Sequence, residues 1–198
     1  MREPFVKMIG RKSLYSGFLR LEEHEFALRH DDHWKAQKRL IVDRGDSVAA
    51  LLVEPAQGLV HLVRQFRYAT FDHAHPDEPG NGWLTELVAG TLEPDETPEA
   101  CIIREVKEET GFTIKNPERI GCFYLSPGAF TEKLYLFAAT VSAERRTASR
   151  IDGHYGVDDE RIETVALPVT TFLQQVERME IKDAKTIAAA EWLRRQKF

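Results

Sequence analysis

The run GTLEPDETPEACIIREVKEETGF, from Gly90 to Phe112, holds one helix between two turns, and the rest of the chain is arranged around it. Thr97 is a good N-cap, Pro98 suits the first helical position, and Gly111 is the expected left-handed residue past the end. A helix of about fourteen residues is predicted between them. At about 100° per residue, Ile102, Ile103, Val106 and Thr110 share one side, and Glu105, Glu108 and Glu109 gather on another. One face is expected to pack and the other to present carboxylates.

Carboxylates three and four residues apart repel one another by a few tenths of a kcal/mol per pair, roughly 0.2–0.5. Arg104 can pair with Glu108 one turn on, but one guanidinium cannot neutralise three acids. Hard divalent cations can, and magnesium in particular is held by one or two carboxylates together with substrate phosphates. A solvated acidic helix face is the other reading of a bare EVKEE.

The flanks change the balance. Gly90, Glu96, Arg104, Glu105, Val106, Glu108, Glu109, Gly111 and Phe112 fit the spacing G-x5-E-x7-R-E-U-x-E-E-x-G-U, where U is a bulky apolar residue. The stretch resembles the Nudix box without a departure. That resemblance implies a Nudix α/β/α sandwich and hydrolysis of the pyrophosphate linkage of a nucleoside diphosphate compound. By match it implies Glu105 and Glu109 as principal metal ligands, Glu108 as a further ligand or catalytic group, and the Ala89 carbonyl as an added donor. Gly90, Glu96 and Gly111 fall in supporting roles, and Arg104 orients the glutamates. The implied cofactor is Mg2+, with Mn2+ as the alternative ion. Metal-bound diphosphate oxygens and an oriented water suit in-line attack at phosphorus. The water's proton needs a base, and YGVDDERIE, from Tyr155 to Glu163, resembles the base-bearing loop of ADP-ribose hydrolases. Glu160 is the expected base, with Asp158 and Asp159 as alternatives.

Substrate choice lies outside the box. SPGAFTE begins at Ser126, and its Pro127 resembles the proline signature of ADP-ribose pyrophosphatases. A plain Pro-Gly turn is the other reading. VRQFR (Val63 to Arg67), TELVAG (Thr85 to Gly90) and IKDAKTIAAAEWL resemble the subfamily that joins ADP-ribose pyrophosphatases with GDP-mannose hydrolases, so the likeness spans nearly the whole chain. Arg67 is the candidate phosphate or ribose contact, with Glu86, Glu132 and Pro127 also expected at the substrate; Lys38 and Arg39 are expected to reach across a homodimer. Phe18 and Tyr68 are candidates to stack on the base. Lys185 in DAKT partly resembles a lysine of the GDP-mannose branch. The expected reaction is ADP-ribose to AMP and ribose 5-phosphate, ahead of GDP-mannose or another nucleoside diphosphate sugar. A non-catalytic nucleotide sensor is a further alternative, although such modules usually lose box carboxylates and none is lost here.

Composition sits in the ordinary globular range, and the order of strands and helices suits a mixed α/β fold. The chain has 198 residues, 42% hydrophobic and 30% charged. It is large enough for a substantial core with a small appendage. Residues 1–45 read as an N-terminal antiparallel β subdomain for dimerisation and substrate closure, and residues 46–198 as the hydrolase domain. Expected strands run Val48 to Val53, Leu59 to Phe66, Leu84 to Val88, Ile120 to Leu125, Leu134 to Val141 and Ile162 to Leu167. Two later helices are expected, Thr170 to Arg178 and Ala184 to Arg195. His73 to Trp83 and Ser142 to Glu160 read as long loops, with His73 and His75 solvated. A net charge of −5 argues against broad nucleic-acid binding. Cys101 and Cys122 fit no metal motif and are expected to be buried reduced thiols. The absence of a signal-like start or membrane-length apolar run makes a cytoplasmic location the default expectation.

Overall fold

A computed structural model describes residues 5–142, 144, 154–155 and 162–196. The chain divides into two compact units, Met1–Asp46 with Phe123–Lys133, and Ser47–Cys122 with Leu134–Phe198.

The first unit is an antiparallel meander of β1 (Val6–Ser16), β2 (Arg20–His30) and β3 (His33–Asp43). β2 and β3 pair without slippage from Arg20↔Asp43 to His30↔His33, around a two-residue turn in which Asp31 adopts φ 49°. β1 is an addition to the sequence reading. It carries two irregularities, between Met8 and Gly10 and between Ser13 and Tyr15, and Val6, Met8, Ile9, Leu14 and Tyr15 are exposed. Its apolar residues therefore lack a clean two-residue period, and its place is set by pairing with β2. Residues 129–131 join the end of β3, where the Val42 amide donates to the Ala129 carbonyl at 2.9 Å and the Thr131 amide to the Val42 carbonyl at 3.0 Å.

The second unit is built on β4 (Ser47–Glu54), every residue of which is buried. Its run VAALLV does not alternate because both faces of the strand are covered. β4 lies between β5 (Leu59–Phe66), antiparallel, and β9 (Lys133–Thr140), parallel. The remaining strands are β6 (Trp83–Glu86) on β5, β7 (Val88–Thr91) on β4, β8 (Glu118–Tyr124) beside β9, and β11 (Ile162–Pro168) beside β5, with the short β10 (His154–Tyr155) at the edge. The expected single strand from Leu84 to Val88 is thus two strands broken at Leu87. Helices α1 (Pro98–Thr110), α2 (Val169–Glu177) and α3 (Ala184–Arg194) complete the mixed α/β sandwich. Val48, Ala50 and Leu52 of β4 pack with Ile102 and Val106 of α1, with Phe112, Phe137 and Ile162 around them. No described helix is long and apolar enough to cross a membrane.

The loop after β5 is ordered by its own polar groups. Asn81 accepts the Asp72 amide at 2.7 Å and donates to the Asp72 and His75 carbonyls. His75 pairs with Asp72 at 2.9 Å, and His73 sits edge-on to Tyr68 and Phe71. Cys101 is buried as expected, but Cys122 is exposed, because β8 lacks cover where Cys122 faces.

Candidate active site

Helix α1 begins and ends where local chemistry directs. The Thr97 side chain accepts the Ala100 amide at 3.2 Å, Pro98 opens the first turn, and Gly111 takes φ 73°. A side chain at Gly111 would be strained in that left-handed conformation. The three carboxylates do not form one solvated face, as the helical period had suggested. Glu109 is buried, Glu105 half-buried and Glu108 exposed. The difference comes from β7, which lies against the Glu105 and Glu109 side of the helix.

Arg104 collects most of the acidic charge. Its guanidinium donates to Glu96 at 3.1 and 3.0 Å, to Glu105 at 2.7 Å and to Glu108 at 3.2 Å. The expected Arg104–Glu108 pair is present, and it is one arm of a larger fork. Hydrogen bonding to Arg104 holds the Glu96 carboxyl down to about 2, and the same bond to Glu96 pushes Arg104 upward. Cys101 lies under this fork, 3.4 Å from Arg104, and burial together with Glu96 pushes its thiol up to about 12.

Gly90 lies in close approach to the box, since a Cβ there would overlap the Glu105 carboxylate and oblige that side chain to move. The neighbouring Ala89 amide points at Glu109, at 3.4 Å. Burial and the charge of Glu105 push the Glu109 carboxyl up to about 8, more than the Ala89 amide and Arg67 offset. Glu105 is also raised, mainly by burial, with Arg104 opposing. A buried and a half-buried carboxylate on one helix therefore lack enough positive charge. Among the described residues no three His, Cys, Asp or Glu side chains converge as a complete cation cage. The donor set instead fits an ion that takes a few carboxylate oxygens and fills its remaining positions with water and phosphate, which is the habit of magnesium.

A second polar group adjoins Glu109. Glu86, at the end of β6, is only 2% exposed, and its two oxygens face two cations. Arg67 donates to one at 2.7 Å, and Lys185, at the start of α3, pairs with the other. Arg67 is thus an engaged arginine, not an unpaired one at a strand end. Lys185 also meets Asp183 at 3.0 Å, and Asp183 caps α3 by accepting the Thr186 amide at 3.0 Å. Sequence reasoning named Arg67, Glu86 and Lys185 separately and missed Asp183 and Thr186. The DAKT run contained the signal, an Asp at an N-cap position.

Of the other expected residues, Tyr68 lies in the second unit, the candidate bases lie outside the described residues, and the rest lie in the first unit. Arg39 on β3 donates to the Lys38 carbonyl and to the Gln37 side chain, both at 2.8 Å, and Lys38 pairs with Glu23 at 3.2 Å. Glu132 is buried, 3.9 Å from Arg44. Pro127 sits in a turn closed by the Phe130 amide on the Ser126 carbonyl at 3.1 Å, the plain turn that the sequence also allowed. Phe18 is 87% and Tyr68 68% exposed, and Tyr68 stacks on Phe71. Glu160, Asp158 and Asp159 lie outside the described residues.

Residues 43–193 match the NUDIX domain. The chain is 38% identical over 189 residues to a GDP-mannose pyrophosphatase of Cronobacter sakazakii, covering 95% of this chain and 94% of the relative. It is 35% identical over 188 residues to a GDP-mannose pyrophosphatase of Yersinia enterocolitica, covering 94% of each. A protein of that name from Yersinia pestis is 36% identical over 94% of this chain and 90% of its own. A family match over most of the chain and an intact box on a capped helix lead to one conclusion: this chain belongs to the Nudix family and is a hydrolase that acts on pyrophosphate bonds.

Proposed function

We propose that the protein hydrolyses the pyrophosphate bond of a nucleoside diphosphate sugar with Mg2+, and that GDP-mannose is the leading substrate. The observation that carries this is the end-to-end likeness to relatives named GDP-mannose pyrophosphatase. The sequence reading put ADP-ribose first on the strength of Pro127, but a Pro-Gly turn is a weaker discriminator than similarity along both units. Lys185 in its DAKT run supports the same choice.

Glu105 and Glu109 would hold the metal, with the Ala89 carbonyl as a further oxygen donor and Glu108 nearest to solvent. When bound, the metal neutralises diphosphate charge and lowers the barrier to attack by water. Arg104 keeps Glu105 turned toward β7 and withholds Glu96 and Glu108 from competing geometries. Arg67, fixed by Glu86, presents a guanidinium suited to phosphate oxygens. Gly90 leaves room for the Glu105 carboxylate, and Gly111 ends the helix so that Phe112 turns into the core. Glu160 remains our assignment for the base, with Asp158 or Asp159 as replacements. Glu132 and Pro127 remain our assignments for substrate contacts, and Lys38 and Arg39 for the reach across a homodimer. The exposed Met8, Ile9, Leu14, Tyr15, Phe18, Trp34 and Leu40 of the first unit support pairing of two copies.

The test is hydrolysis of a panel holding GDP-mannose, ADP-ribose, ADP-glucose, UDP-glucose, NADH and 8-oxo-dGTP, with Mg2+ and then with EDTA. GMP and mannose 1-phosphate, lost with EDTA, are the expected products. Preferential release of AMP and ribose 5-phosphate would return the assignment to ADP-ribose, and no cleavage of any member would leave a nucleotide-binding sensor.

A further inference from the structure

We propose that the first turn of α3 is a positioning element for the active site: Thr186 and Lys185 pin the β6–β7 junction whose next residues face the box carboxylates. This rests on the functional reading above only in taking Glu105 and Glu109 as metal ligands.

The junction is Glu86–Leu87, where the sheet ladder is interrupted. Leu87 belongs to neither strand, so its amide needs another acceptor, and it is fully buried. Thr186 supplies it, accepting the Leu87 amide through Oγ1 at 3.0 Å while its hydroxyl donates to the capping carboxylate of Asp183. Thr186 is itself completely buried. One residue earlier, the Glu86 carboxylate pairs with Lys185, and Lys185 is held from behind by Asp183. Backbone and side chain of the junction are therefore fixed by the same helix turn. Arg67, Glu86, Lys185 and Asp183 pair two basic with two acidic side chains around the buried Glu86 carboxylate, so opposite charges balance there.

What this turn fixes lies two and three residues on. The Ala89 amide meets Glu109, and Gly90 fits against Glu105 with no room for a methyl group. A shift of the junction would move both contacts and disturb the Arg67 guanidinium, which is bonded to Glu86. Lys185 and Thr186 lie about ninety-nine residues from their partners in sequence. They act through Glu86 and Leu87, not by touching the reacting atoms.

Thr186→Val removes the hydroxyl at nearly constant volume and leaves the Leu87 amide without its acceptor, whereas Thr186→Ser keeps the hydroxyl. Mn2+ binding to the whole protein, followed by electron paramagnetic resonance, reads the carboxylate pair directly. The expected result for Thr186→Val is Mn2+ affinity weakened about tenfold or more, and kcat reduced by a similar factor with KM within about threefold; Thr186→Ser should restore both. If Thr186→Val does not fold, Lys185→Met is measured alone and together with Glu86→Gln, and the double variant should be no worse than the poorer single one. Wild-type Mn2+ affinity in folded Thr186→Val, strictly additive losses in the second series, or a wild-type protein that takes up no Mn2+ would each overturn the proposal. A wild-type protein that binds Mn2+ but cleaves no panel member would sink the functional reading while leaving the positioning role to stand on the Mn2+ data.

Discussion

Raising the pH of the metal-free protein from 5 to 8.5 should destabilise it, and Glu109 is the reason. Its carboxyl is pushed from an ordinary 4.5 up to about 8 in the folded chain, so the folded state binds that proton more tightly than the unfolded state does. The stabilisation is fully present below 4.5 and is lost as pH rises through about 8. Integrated over the two protonation equilibria, the loss between pH 5 and 8.5 is about 4 kcal/mol. For a chain of this size that is a fall in Tm of about 10 °C. Glu105 adds to the same trend because it too is raised. Glu96, held at about 2, titrates below this window and does not mask it. The assay is thermal or urea unfolding in EDTA at pH 5, 6, 7, 8 and 8.5, with Glu109→Gln beside the wild type. Glu109→Gln should lose most of this pH dependence, keeping only the Glu105 part, and at pH 8.5 be more stable than the wild type despite losing activity by orders of magnitude. Mg2+ should rescue the wild type at high pH and leave the variant unchanged. A wild-type curve that is flat or rises from pH 5 to 8.5, or a variant less stable at every pH, would refute the reasoning.

Four further outcomes follow from the same geometry. Gly90→Ala forces a methyl group into the Glu105 carboxylate and should cost about 1–3 kcal/mol of stability with at least a tenfold loss of Mn2+ affinity; an unaltered variant would mean that Glu105 rotates freely. Arg104→Lys cannot bridge three carboxylates, so activity should fall about 10–100-fold. Its stability deficit should also shrink as pH falls from 4.5 toward about 2, because the wild type then loses its bond to Glu96; a deficit constant with pH would speak against that bond. A thiol reagent should label Cys122 rapidly in the native protein and Cys101 only on unfolding, since the Cys101 thiol is buried and pushed up to about 12; two fast thiols would contradict this. Among the box acids, Glu108→Gln should be milder than Glu105→Gln in both Mn2+ affinity and kcat, and the reverse order would move the metal toward the exposed edge of the helix.

Local rules made α1 legible. A Thr cap, a Pro at the first position and a Gly at the left-handed end are read within one turn of the residues they affect. β4 was legible because a continuous apolar run can only be a doubly covered strand or a buried helix, and its length chose the strand. β1 was not, since its apolar residues stay exposed and two register irregularities erase the alternation. The break at Leu87 was hidden for a different reason. Nothing in WLTELVAG marks a backbone amide that leaves its ladder for a threonine hydroxyl on the last helix.

The same distinction explains the site. Spacing along a helix tells which acids share a side, but depth is decided by what packs on that side. Arg104 reaches Glu96, Glu105 and Glu108 and leaves Glu109, which among the described residues accepts the Ala89 amide at 3.4 Å. Repulsion within the box is therefore relieved unevenly, and the deficit of positive charge collects at the buried end of the acidic row. A cation gains most there, beside Arg67 and the Glu86–Lys185 pair, where a diphosphate would find both signs of charge already held in place. On the proposed reading, the arginine of the box, by satisfying three acids, would leave Glu109 as the carboxylate that gains most from a metal shared with Glu105.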